Sequence, residues 1–125
     1  MFSITVEETF SSGHALRGYR GKCENPHGHN YRVRVQLEGP ELNSIGLLYD
    51  FRELKSFLRR ETEQWDHQYL NDLEPFREQN PSAENMARIL FERLEQSLAA
   101  DAAPVRVASV TVFETDTTAA IYRRT

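Results

Sequence analysis

Hydrophobic and polar side chains alternate from Phe2 to Phe10, with Phe2, Ile4 and Val6 set against Ser3, Thr5 and Glu7, which predicts a strand. A cleaner period of two runs from Asn30 to Glu38. Tyr31, Val33, Val35 and Leu37 share one face there, and Arg32, Arg34 and Gln36 share the other. Between them Ser11–Asn25, punctuated by Gly13, Gly18 and Gly21, reads as a loop, and Gly39-Pro40 ends the second strand. The period then changes. Asp50 is suited to cap a helix whose buried stripe is Phe51, Leu54, Phe57, Leu58 and Trp65. Pro75 and Pro81 bracket an irregular stretch. Ser82 caps a second predicted helix with Met86, Ile89, Leu90, Leu94 and Leu98 as its core face. After a break at Asp101–Pro104, Val105–Glu114 and Ala119–Arg123 read as strands joined by the tight segment Thr115-Asp116-Thr117-Thr118.

The order strand, strand, helix, helix, strand, strand predicts an α+β fold with a four-stranded antiparallel sheet. Two helices cover only one face of such a sheet. The other face carries Arg32, Arg34 and Gln36, and two edges stay open, so pairing between copies of the chain is expected.

Composition narrows the class. At 125 residues the chain fits one domain, 1–125, and with 39% hydrophobic residues it has enough apolar side chains for a core of its own. A net charge of −4 argues against a general nucleic-acid binder. No apolar run approaches membrane-spanning length, and Met1–Glu8 lacks the pattern of a signal peptide, so no membrane partner is expected. The single cysteine, Cys23, has no intrachain disulfide partner, and a reducing, cytoplasmic setting is the expectation.

The reactive side chains are concentrated. His14, Cys23, His27 and His29 lie close together in sequence and include three of the four histidines. His27 and His29, two apart before a strand, present their imidazoles on one side. If the first two strands form an antiparallel hairpin, His14 joins them at its neck, and three histidines with one open position is the pattern of catalytic zinc. Cys23 as a fourth ligand would instead close a structural site. Arg17, Arg20 and Lys22 on the same loop suit phosphate oxygens or a lowered Cys23 pKa, and equally suit a solvated loop. Asp66 beside His67 can orient an imidazole. Glu114 continues the apolar parity of Val110 and Val112, so it either lies past the core edge or meets a cationic or amide-rich ligand.

The ordered blocks Phe10-Ser11-Ser12-Gly13-His14, Gly21–Tyr31, Tyr49-Asp50-Phe51, Trp65-Asp66-His67 with Leu70-Asn71, Asn80–Asn85 and Val112–Thr115 together resemble the 6-pyruvoyl-tetrahydropterin synthase superfamily. Cys23, four residues before His27, is spaced as in the queuosine-pathway branch, the 6-carboxy-5,6,7,8-tetrahydropterin synthases. The resemblance implies a tunnelling fold in which subunit sheets join into a barrel, and Zn2+ held by His14, His27 and His29. It implies Cys23 as an acid/base thiol outside the ligand set, Asp66 and His67 as a relay pair, and Glu114 as the catalytic-site residue on the guanidine-like edge of a pterin. Ser82 and Glu84 correspond to the segment beside the pterin. Gln68 stands where bacterial members commonly have a second histidine.

The implied reaction is zinc-dependent carbon–carbon cleavage. It converts 7,8-dihydroneopterin triphosphate to 6-carboxy-5,6,7,8-tetrahydropterin with loss of acetaldehyde and triphosphate. Two alternatives remain from the sequence: triphosphate elimination to the pyruvoyl product, and a non-catalytic zinc-stabilised pterin-binding assembly. A cupin-like oxygenase, suggested by His-x-His before a strand, lacks the closely following glutamate such a site needs.

Overall fold

In a computed structural model, which describes residues 1–101 and 103–125, four strands and two helices follow the predicted order. They are β1 (Phe2–His14), β2 (His27–Gly39), α1 (Phe51–Glu63), α2 (Ala83–Ala100), β3 (Arg106–Thr115) and β4 (Thr118–Arg123). The sheet is antiparallel throughout, in the order β1-β2-β3-β4. Short 3-10 turns at Leu70–Asp72 and Glu74–Phe76 occupy the stretch between Trp65 and Pro81.

Period-two burial holds along β2, where Tyr31, Val33, Val35 and Leu37 are fully enclosed. They pack with Val6 and Phe10 of β1, Val110 and Val112 of β3, and the apolar stripes of both helices. Phe10 stacks on Tyr31 at 4.9 Å between ring centroids and meets Trp65 edge-on at 6.0 Å. Both predicted caps form. Asp50 accepts from the Arg52 amide and Ser82 from the Asn85 amide. The break read at Asp101–Pro104 includes Ala102, which lies outside the described residues.

Three expectations need correction. Phe51 is 56% exposed, because it occupies the first turn of α1 before the enclosed stripe of Leu54, Leu58 and Thr62 begins. Trp65 is buried but lies beyond the end of α1. The first loop starts later than Ser11. β1 and β2 pair through Ser11↔Asn30, Ser12↔His29 and Gly13↔Gly28 to His14↔His27, so Gly13 is a paired strand residue. A Cβ on Gly13 would stand 3.3 Å from the His27 carbonyl oxygen and 3.5 Å from the Tyr69 ring. A bare backbone there lets residues 66–69 lie against the strand.

That segment also modifies the open-edge expectation. The Ser11 amide donates to the Asp66 carboxylate, the His67 amide to the Ser11 carbonyl, and the Gly13 amide to the Gln68 carbonyl. The last turn of the β1 edge is therefore covered. On the face away from the helices, Glu7 accepts from Arg34 at 2.6 Å and Arg32 at 3.3 Å, Arg32 lies 3.8 Å over the Phe113 ring, and Gln36 donates to Ser3. It is a polar lattice on the face where the sequence placed these side chains.

Candidate functional site

β1, β2 and β3 each send helix-side residues past the end of the core, and four of them meet. His14 ends β1, His27 and His29 begin β2, and Glu114 lies near the end of β3. Their donor atoms lie within 4.8 Å of one another. His14 is fully buried, and the other three are partly buried.

Hydrogen bonds behind the rings fix their tautomers. His14 Nδ1 lies 2.7 Å from the Pro81 carbonyl oxygen, and His27 Nδ1 lies 2.7 Å from the Asn25 carbonyl oxygen. A carbonyl only accepts, so each Nδ1 carries the proton and each Nε2 keeps a free lone pair. The Tyr31 hydroxyl stands 3.1 Å from His14 Nδ1 on the same outer side. Burial pushes both His14 and His29 below the ordinary imidazole value, which favours neutral rings at pH 7.

The consequence is a convergence of electron pairs. The Nε2 atoms of His14 and His27 are 3.0 Å apart, Glu114 Oε1 is 3.1 Å from His14 Nε2 and 3.3 Å from His29 Nε2, and His29 Nε2 is buried without a hydrogen-bond partner. Lone pairs that close repel unless a cation lies among them. Three imidazole nitrogens and a carboxylate oxygen are a donor set for a divalent metal ion such as zinc. The backing carbonyls orient the rings as an outer shell does at a metal centre.

Each sequence-derived site residue can now be located. His14, His27 and His29 come together. Cys23 lies in a 3-10 turn, Lys22–Glu24, and is absent from the clustered donors, which are His14, His27, His29 and Glu114. Asp66 Oδ2 accepts from His67 Nδ1 at 3.0 Å. The Ser11 amide holds the Asp66 carboxyl below its usual range, so Asp66 is an anion at neutral pH. His67 has φ 55, a left-handed conformation that costs a non-glycine residue on the order of 1–3 kcal/mol, and its own amide is tied to Ser11. His67 and Gln68 line one cavity of about 410 Å³ with His29, Ser11 and Asn30. Ser82 uses its hydroxyl to cap α2 beside Pro81, and Glu84 is exposed in the first turn of that helix. Neither joins the donor cluster. Arg17 is engaged as well, donating to the carbonyls of Gln79 and Asn71, whereas Arg20 and Lys22 are exposed.

Sequence reasoning did not bring Glu114 to the imidazoles. The signal was its parity with Val112, which pairs with Val33, but the β2–β3 register was needed to use it. The backing carbonyls of Asn25 and Pro81 carry no side-chain signal at all.

Residues 3–125 match the family described as 6-pyruvoyl tetrahydropterin synthase. A 6-carboxy-5,6,7,8-tetrahydropterin synthase from Synechocystis sp. is 35% identical over 98% of this chain and 93% of its own. The enzyme of the same name from Bacillus subtilis is 30% identical over 98% and 85%. The solved 6-pyruvoyl tetrahydropterin synthase of Caenorhabditis elegans superposes with a TM-score of 0.86 at 28% identity, covering 99% of this chain and 96% of that one. The matched span includes the histidine hairpin, both helices and the Glu114 strand: the chain belongs to the 6-pyruvoyl tetrahydropterin synthase family.

Proposed function

We propose that the protein is a zinc-dependent carbon–carbon lyase acting on 7,8-dihydroneopterin triphosphate. With one water consumed, its products are 6-carboxy-5,6,7,8-tetrahydropterin, acetaldehyde and triphosphate. The observation that carries the proposal is the set of unprotonated Nε2 atoms aimed at one point with a carboxylate oxygen beside them. The names of the relatives at 30–35% identity supply the product, a 6-carboxytetrahydropterin.

His14, His27 and His29 would hold the ion. Bound there, zinc supplies Lewis-acid stabilisation of negative charge on side-chain oxygens of the substrate. The chain's own groups do the proton work. Asp66 takes the Nδ1 proton of His67 as its hydrogen-bond partner, which leaves Nε2 of that ring to accept a hydroxyl proton and stabilises the imidazolium that forms. Cys23 moves a proton at the pterin-side carbon. The two oxygens of Glu114 suit the paired N–H donors of the pterin edge. Ser82 and Glu84 border the pterin. Arg20 and Lys22 supply positive charge for the triphosphate. The protein works in the cytoplasm as a homo-oligomer with its sites at subunit interfaces, its sheets joined through the free parts of β1 and β4.

Elimination of triphosphate to the pyruvoyl product is the second reading, favoured by the fold match to the Caenorhabditis elegans enzyme. The two separate in one experiment. Zinc-loaded protein is incubated with 7,8-dihydroneopterin triphosphate and the products are identified by mass. Acetaldehyde released in step with triphosphate supports the lyase reaction; triphosphate without acetaldehyde supports the pyruvoyl-forming one, and no turnover counts against both.

A further inference from the structure

The three residues after His14 have every backbone polar group but one pair engaged by distant side chains. The Asn71 amide accepts from the Ala15 N–H and donates to the Ala15 carbonyl, both at 2.9 Å. Asn80 does the same two residues on, accepting from the Arg17 N–H at 2.8 Å and donating to the Arg17 carbonyl at 3.0 Å. A primary amide offers a donor and an acceptor side by side, so each asparagine imitates one rung of a β-ladder. Arg17 adds its guanidinium, donating to the carbonyls of Gln79 at 3.2 Å and Asn71 at 3.3 Å.

Leu16 sits between the two clamped residues, and its N–H points to the Cys23 carbonyl at 2.8 Å. The loop carrying the thiol is thus fastened to a segment that is itself fastened, on one side, to residues 71 and 80. On its other side that segment begins at His14, whose Nδ1 is bound to the Pro81 carbonyl immediately after Asn80. Asn71 also directly follows Leu70, which is fully buried, so one clamp is anchored in the core.

We infer that Asn71 and Asn80 are positioning residues: their paired amide clamps on Ala15 and Arg17 hold Leu16 so that it fixes the Cys23 loop relative to His14. The inference rests on the role proposed above for Cys23 as the acid/base thiol. Neither asparagine is among the clustered donors, and His14 and His27 are also held by the β1–β2 register and their backing carbonyls, so loss of a clamp should move the thiol's loop more than the metal ligands. A proton-transfer group displaced by about 1 Å loses on the order of 10²-fold in rate.

The test uses zinc-loaded full-length Asn71→Ala, Asn80→Ala and the isosteric Asn71→Asp and Asn80→Asp. Each aspartate keeps the side chain's size and the acceptor for the backbone N–H but turns an oxygen towards the carbonyl in place of the donor. Expected are unchanged zinc content, a kcat lower by about 10²-fold in all four variants, and little movement of KM. Cys23 should alkylate faster with iodoacetamide, and the Leu16 amide should exchange its hydrogen faster. In a Cys23→Ala background the asparagine substitutions should add no further loss of turnover. Folded variants with wild-type kcat, alkylation rate and Leu16 exchange overturn the inference, and so does a loss of zinc parallel to the loss of rate. If an alanine variant does not fold, the aspartate pair decides by the same measurements. Full turnover by Cys23→Ala would overturn the thiol's role itself, while faster alkylation and exchange in the asparagine variants would still establish the clamps.

Discussion

His14 and His27 are the last cross-strand pair of the β1–β2 hairpin, and their Nε2 atoms face each other at 3.0 Å. Both rings have committed their Nδ1 protons to backbone carbonyls, so no proton is left to lie between them. His27→Ala or His29→Ala should therefore cut bound zinc sharply from about one per chain, since a four-coordinate site that loses a protein ligand holds its ion weakly. Metal analysis after dialysis measures this. Full zinc in both variants would exclude these ligands.

Cys23→Ala should keep zinc, fold and assembly and lose turnover. The sulfur is outside the donor cluster, and general acid–base groups contribute about 10²–10⁴ in rate. Metal content, a thermal melt and a single-turnover assay decide it together. A parallel fall in zinc and melting temperature would instead mark the cysteine as a ligand.

Glu114→Gln probes whether the carboxylate serves the pterin. The amide has one acceptor oxygen and turns an NH₂ towards the ligand's donors. Substrate affinity should drop by roughly 30- to 150-fold, the equivalent of about 2–3 kcal/mol. Calorimetric titration with the zinc-loaded variant measures it, and unchanged affinity in a folded protein would remove Glu114 from the substrate site.

Assembly should leave the free parts of β1 and β4 paired between subunits and the Arg32, Arg34 and Gln36 face turned into a polar interior. Light scattering at micromolar concentration should show a stable oligomer. A monomer under those conditions would contradict the barrel.

Acid sensitivity has a defined contributor on that face. The hydrogen bond from Arg34 holds the Glu7 carboxyl below its ordinary value of 4.5. A carboxylate with a lowered pKa in the folded state adds stability above the unfolded value and loses it as the pH falls through the folded one. The pair is partly exposed, so its worth is about 0.2–1 kcal/mol. Denaturant melts of wild type and Glu7→Gln should differ by that amount at neutral pH and converge in acid, once the pH has fallen through the folded-state value. A gap that persists in acid would show that the ion pair is not its source.

Much of the architecture was legible because burial alternates without interruption along β2 and recurs every three to four residues in α2. Asp50 and Ser82 marked helix starts for a local reason, the need of first-turn amides for an acceptor. Phe51 and Gly13 misled for the converse reason. A hydrophobic residue in a first turn need not reach the core, and a glycine reads as a break although a paired strand can accommodate one where another segment comes close. Among the site residues the histidines could be grouped from one hairpin. Glu114 needed the β2–β3 register, and the Asn71 and Asn80 clamps needed contacts across more than fifty residues of chain.

Residues 66–69 do more than shelter the end of β1. With the Ser11 and Gly13 amides already occupied, a strand adding to this edge finds free rungs only before Ser11. The covering segment thus acts as an end stop. An incoming strand cannot slide towards the histidines, and the slip of one residue that would exchange the two faces of a growing sheet is opposed at a definite place. Because the stop is built from Asp66, His67 and Gln68, the same residues that present the imidazole–carboxylate pair would also set the alignment of any neighbouring sheet.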